Sequence, residues 1–195
     1  MNSKILFNSP DFEKPIPELE QYSTPPDIAF EILKKVNSAG NLSGKVADLG
    51  CGTGRLAIAA AILGANVTGF EIDKDAIELA KKYSNENNLD ITWKNKAIEN
   101  INEIFDTVIM NPPFGSQRPG ADKIFLEKAM NISTHIWTIH LSETRKFIEK
   151  IIVKNNCKII ELYEFDYPLK NSMHFHSKDT KIENTILYHI ASLPK

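Results

Sequence analysis

Apolar and polar positions along this chain of 195 residues follow two periods in turn. Short apolar runs at 45–49, 66–70, 91–93 and 106–110 have strand character, each closed by turn or polar residues. Between them the apolar positions recur at helical spacing. Thr24 suits an N-cap and Pro25 a first helical position; Ile28, Ile32, Leu33 and Val36 then share one face of a helix ending near Ala39-Gly40. An alanine-rich helix is predicted from Leu56 to Leu63. Another runs from about Lys74 to Asn87 with Ile77, Leu79 and Ala80 inward, and another from about Ala121 to Asn131 with Ile124, Phe125 and Leu126 inward. His135 to His140 alternates as a fifth strand, and Ser142 is placed to cap a helix reaching about Lys154. Cys157 to Phe165 and Ile182 to Ala191 read as the sixth and seventh strands. With no helix between them, they imply an antiparallel hairpin at a sheet edge. The pattern predicts one three-layer α/β domain over residues 1–195. Its sheet is seven-stranded and mostly parallel, with one antiparallel C-terminal strand.

The chemistry centres on Asn111-Pro112-Pro113-Phe114, directly after the fourth strand. Two prolines cannot continue a sheet ladder, so the strand stops at Met110 and presents Asn111 at its C-terminal end, where open parallel sheets bind ligands. The tetrapeptide offers two acceptors, the Asn111 side-chain oxygen and the Pro112 carbonyl, and one aromatic face, Phe114. That set suits a planar target carrying an NH₂ group. A proline-rich turn with an Asx cap is the bland alternative.

Upstream, the first strand runs into Gly50-Cys51-Gly52-Thr53-Gly54 and then a helix, the start of a nucleotide-binding doubly wound sheet. The spacing is not that of a dinucleotide loop, and no Lys-Ser/Thr follows to make a phosphate-gripping one. Glu71 closes the second strand about twenty positions later, placed to accept from two ribose hydroxyls, while Asp73 is better placed as the next N-cap. The cofactor implied is nucleoside-like without phosphate, and S-adenosyl-L-methionine fits. Its methyl is already activated, so the protein need only bring a nucleophile in line. No general base is assigned. His135, His140 and His189 read as strand residues.

Between the last two strands, residues 166–181 read as a long loop in which Lys170, Phe175, His176, Lys178 and Lys181 interleave base and aromatic ring, as binding of a single strand requires. A solvated loop with Phe175 tucked inward is the equal alternative. Residues 1–24, punctuated by Pro10, Pro15 and Pro17, form an irregular leader.

Net charge is −2, so contact with nucleic acid requires a local basic patch. Cys51 and Cys157 follow no metal-ligand spacing, and no metal is expected. No run approaches membrane-spanning length and no signal-peptide core opens the chain, which points to a cytoplasmic protein.

Phe12-Glu13-Lys14-Pro15 and Leu19-Glu20-Gln21-Tyr22, the Ala47-to-Gly52 loop, Asp106 through Gly115, Ala121-Asp122-x-x-Phe125-Leu126 and Phe175-His176-x-Lys178 together resemble the methyltransferase-like-five family over nearly the whole chain. These are ribosomal RNA adenine-N6 methyltransferases, with archaeal relatives, of the Rossmann-like class I type that uses S-adenosylmethionine. The resemblance implies that Gln21, Thr24, Gly50, Thr53, Arg55 and Glu71 line the cofactor, with Asp48, Cys51 and Gly52 of the matching loop and Ile72 beside them. Asn111 to Phe114 would grip the adenine, and the leader would fold over the cofactor site. Lys170, Phe175, His176 and Lys178 would meet the RNA. Two departures stand out: Lys96, next to Ala97, occupies a position that is usually acidic and takes the cofactor's adenine amine, and Met173 stands near the family's tyrosine before Phe-His. Ribosomal RNA is the implied partner, with a small zinc-binding activator of the Trm112 type as a further candidate. Guanine-N2 methylation of ribosomal RNA and glutamine-N5 methylation of protein use similar loops and remain rivals, as does a non-catalytic RNA-binding subunit.

Overall fold

A computed structural model describes residues 3–170 and 180–193. Seven strands make one sheet: β1 (Lys45–Leu49), β2 (Asn66–Glu71), β3 (Ile91–Asn95), β4 (Phe105–Met110), β5 (Ser133–Leu141), β6 (Cys157–Lys170) and β7 (Thr180–Ser192). Their order across the sheet is β3-β2-β1-β4-β5-β7-β6. Only β7 runs antiparallel, between β5 and β6, as the expected edge hairpin requires. The helices are α1 (Ser3–Phe7), α2 (Pro26–Ser38), α3 (Arg55–Ile62), α4 (Lys74–Glu86), α5 (Ala121–Ile132) and α6 (Arg145–Lys154).

Alternation along the strands divides the core in two. Val46, Val67, Ile109, Trp137, Ile139 and Leu187 meet α1, α2 and α3 on one face, through Leu6, Ile32, Leu33, Val36 and the alanines of α3. Ala47, Leu49, Val108, Met110, Ile136, Ile186 and Tyr188 meet α5 and α6 on the other, through Leu126, Ala129, Ile148 and Ile152. The chain moves outward from β1 through β2 to β3, then returns to place β4 on the other side of β1. Between the C-terminal ends of β1 and β4 lies the crevice where such a sheet binds ligands.

Three local expectations are corrected. Helix α2 starts at Pro26 with Pro25 as N-cap, because a residue before proline is pushed out of the helical region and Pro25 sits at ψ 139°. Thr24 therefore caps nothing. Ser142 does not cap α6 either: a 3-10 turn, Ser142–Thr144, intervenes, and the Thr144 hydroxyl donates to the Leu141 carbonyl. Both described ends of the presumed loop 166–181 are strand, since β6 and β7 stay paired out to Lys170 and Thr180. Pro168 is tolerated there because β6 is an edge strand. Phe175, His176, Lys178 and Met173 lie outside the described residues. Among the described residues no helix is long and apolar enough to cross a membrane, and no His/Cys/Asp/Glu group is arranged to hold a metal ion.

Candidate active site

One cavity opens at the β1/β4 crevice. Its walls include Gln21 and Thr24, Asp48, the Gly50-to-Thr53 loop, Arg55, Glu71, Ile72, Lys96, Asn111 and Pro113. Of the residues singled out beforehand, Ala97, Pro112 and Phe114 are not in the wall, and Lys170 stands at the far end of β6. His135, His140 and His189 are strand residues and do not reach the cavity.

The glycine loop is shaped by what presses on it. Gly50 and Gly52 have φ of 66° and 54°, conformations that side chains rarely adopt. A Cβ on Gly52 would lie 2.6 Å from the Phe12 ring, and one on Gly50 would lie 2.8 Å from the Phe125 ring. Cys51 is buried in the same turn; burial raises its thiol pKa and keeps it protonated. Glu71 holds the loop from below. Its Oε2 accepts from the Gly52 amide at 2.9 Å, and its Oε1 from the Ile72 and Asp73 amides at 2.8 and 3.0 Å. A carboxylate offers about four lone-pair positions. Three are taken by backbone, which leaves room for one further donor on Oε2, not two. Burial raises the Glu71 pKa, against the pull of those amides. Asp48 is more deeply buried, and its Oδ2 accepts from the Ala57 amide at 2.9 Å. Burial pushes its pKa up to about 8, opposed by that amide and assisted by the Glu71 charge. Two buried acids in one crevice suit a cationic ligand, which relieves the repulsion between them.

The leader closes the cavity from above. Arg55 donates through Nη1 to the Thr24 carbonyl at 3.1 Å, and through Nη2 to the Ser9 and Pro10 carbonyls at 3.0 and 2.9 Å. Its two terminal nitrogens thus hold the leader, while its buried Nε has no partner among the described residues. Thr53 Oγ1 donates to the Pro10 carbonyl, the Tyr83 hydroxyl to the Ile5 carbonyl, and Gln21 Nε2 to Asp73 Oδ2. Asp73 also caps α4 by accepting from the Asp75 amide. Lys96 keeps its backbone amide on the Glu71 carbonyl, while its ammonium turns to Glu103, which also holds Lys94. The Lys94 ammonium first, then the Glu103 and Asn102 amides and the Lys96 ammonium, hold the Glu103 carboxyl at a pKa of about 2.

Asn111 lies in the crevice wall between the leader and β6. Its Nδ2 donates to Thr24 Oγ1 at 3.1 Å and to the Tyr167 hydroxyl at 2.9 Å. Its Oδ1 is buried and accepts from no described residue. Among the described residues the Pro112 carbonyl accepts only a long bond, 3.4 Å, from the Tyr22 hydroxyl. Phe114 does not offer an open face: it is buried beside Tyr22 at 5.4 Å between ring centroids and Tyr167 at 6.2 Å. Tyr167 was missed in the sequence because it was taken to lie in a loop. The alternation of Tyr163, Phe165 and Tyr167 with Glu164 and Asp166 is the period-2 signal that extends the strand to it.

The methyltransferase small domain family model matches residues 24–135. A Methanocaldococcus jannaschii protein carrying no functional name is 36% identical over 92% of this chain and 87% of its own. The rRNA N(6)-adenosine-methyltransferase METTL5 of Danio rerio is 38% identical over 86% of each chain. The crystal structure of a candidate RNA methyltransferase from Pyrococcus horikoshii superposes with a TM-score of 0.92 at 34% identity, covering 98% of this chain and 96% of that one.

Proposed function

Since this chain belongs to the methyltransferase small domain family and groups there with METTL5, we propose that it transfers a methyl group from S-adenosylmethionine to the N6 amine of an adenosine in small-subunit ribosomal RNA. The observation that carries the chemistry is the buried, unpartnered Asn111 Oδ1 at the end of β4. A buried acceptor without a donor costs roughly 1–3 kcal/mol. A site that keeps one awaits an N–H or O–H from its ligand. The adenine assignment rests on the METTL5 relatives of zebrafish and Drosophila melanogaster, 38% and 36% identical. The same acceptor would serve guanine-N2 or glutamine-N5, which those relatives do not favour.

The cavity fits the cofactor. Gly50 and Gly52 let a nucleoside approach the backbone, Glu71 Oε2 keeps one position for a ribose hydroxyl, and Asp48 and Glu71 favour a cation. Thr24, Gln21 and Arg55 act through the leader that roofs it. When bound, S-adenosylmethionine supplies an electrophilic methyl group. An adenine amine is a weak nucleophile because its lone pair is delocalised into the ring. Asn111 Oδ1 and the Pro112 carbonyl would take its two hydrogens, hold it in line and favour pyramidalisation as it attacks. The proton leaves afterwards to water, so no base is needed. For the base to reach the Pro112 carbonyl, the Tyr22 hydroxyl must yield it, which also opens one side of Phe114 for stacking.

The reading includes a small zinc-binding Trm112-type activator, for which the exposed edge strand β3 and the exposed Ile104 offer a surface, and a cytoplasmic setting. Nucleoside mass spectrometry of small-subunit RNA, after incubation with enzyme and labelled cofactor, tests the function. N6-methyladenosine is expected. N2-methylguanosine as the product would replace the adenine assignment.

A further inference from the structure

Asn111 can act as an acceptor only if its amide faces one way. Rotated by half a turn, its Oδ1 would accept from the Thr24 and Tyr167 hydroxyls, and its NH₂ would face the crevice as two donors. Such a site would repel an amine. In the observed orientation both hydroxyls accept from Nδ2, at 3.1 and 2.9 Å, and a single acceptor is left over. Each hydroxyl can donate or accept, so the amide keeps two bonds in either orientation; the rotated one would aim two N–H donors into the crevice where the observed one aims a single acceptor. Thr24 is brought to the site by the leader and held by Arg55 on its carbonyl; Tyr167 comes from β6, on the opposite side. Tyr167 is fully buried, and its ring packs at 6.1 Å from Tyr22 and 6.2 Å from Phe114. Burial raises the phenol pKa, so the group stays neutral.

We infer that Tyr167, together with Thr24, is a positioning residue of the methyl-transfer site, fixing the Asn111 amide by two hydrogen bonds at the place where its oxygen meets the target amine. This rests on the amine-methylation reading above. Neither hydroxyl touches the substrate. Each acts through Asn111, and each comes from a segment outside the Asn-Pro-Pro-Phe loop. The leader therefore takes part in the chemistry as well as in roofing the cavity.

The test is a double-mutant cycle read by single-turnover methylation of small-subunit RNA. Tyr167→Phe keeps the ring and removes only the hydroxyl. We expect its transfer rate to fall about ten- to a hundredfold, as for loss of a positioning contact. Affinities for S-adenosylmethionine and RNA should stay within about twofold of wild type, because the ring packing is retained. Thr24→Val should slow transfer to a similar degree, and its rate in the cycle serves if Tyr167→Phe does not fold. In an Asn111→Ala background neither change should lower the residual rate further. A wild-type rate in Tyr167→Phe, or an equal loss in both backgrounds, overturns the positioning role while a slow Asn111→Ala enzyme leaves amine methylation standing. A wild-type rate in Asn111→Ala alone removes both.

Discussion

Asp48 and Glu71 carry opposite lessons about a buried carboxylate. Glu71 is tied by three amides and so stabilises the loop it appears only to border. Glu71→Ala should weaken cofactor binding by about 1.5–3 kcal/mol, the range for hydrogen bonds to a charged group. It should also lower the melting temperature, because the Gly52, Ile72 and Asp73 amides lose their acceptor; calorimetry and a thermal melt read the two effects. Asp48 has one amide and a like-charged neighbour, and its pKa rises from 3.8 to about 8. Between those values the folded state binds a proton that the unfolded chain has released. Its contribution to stability is therefore fully present below pH 3.8 and is lost as pH rises through about 8. Denaturant melts of wild type and Asp48→Asn should diverge as pH climbs from 5 to 8.5, with the variant losing less stability across that window. Parallel curves would mean that Asp48 is ionised throughout. That the acidic end of β2 reaches the crevice was legible in the sequence. Its saturation by backbone amides was not, because φ/ψ in the loop decides where those N–H groups point.

At the scale of elements, the leader matters most. Its sequence is irregular, and propensity alone describes it as unstructured. Its order comes from long-range partners that no local pattern reveals: Arg55 and Thr53 on α3 and its loop, Tyr83 on α4, and Asp73 at the α4 N-cap. Arg55→Gln should release the leader. Limited proteolysis should then cut within residues 1–24 faster than in wild type, and cofactor affinity should fall about tenfold as the roof is lost. An unchanged cleavage pattern would show that the Arg55 bonds contribute little. The strands were the most legible elements, since inward residues of β1, β4, β5 and β7 alternate between the two cores. Two boundaries were misjudged. Pro25 was read as the first helical position and is the N-cap residue, and β6 was ended at Phe165 although it runs on through Pro168 as an edge strand.

On the scale of the whole molecule, the strand order does the assembling. Reversal at β1/β4 sets the glycine loop beside Asn111, 61 positions later than Gly50, and the β6–β7 hairpin brings Tyr167 to the same point from the far edge. Spacing in the sequence revealed the first convergence, because both motifs end parallel strands; it could not reveal the second, which depends on β7 inserting between β5 and β6. The stretch from β6 to β7 also carries basic residues in its sequence. Lys170→Gln, Lys178→Gln and Lys181→Gln together should weaken RNA binding and reduce its log–log salt slope by about 1.5–2, near 0.7 per single-strand phosphate contact. Lys181 pairs with Glu183, so its share should be the smallest. An unchanged slope would move the RNA surface toward Arg118 and Lys123. The central claim, that Asn111 accepts from the target amine, is tested most directly by Asn111→Ala in single-turnover methylation of ribosomal RNA, with cofactor affinity measured alongside. Transfer should fall by about two to four orders of magnitude, as for loss of a preorganised contact in a desolvated site, while S-adenosylmethionine affinity stays within a few-fold. An Asn111→Ala enzyme that methylates at the wild-type rate would contradict it.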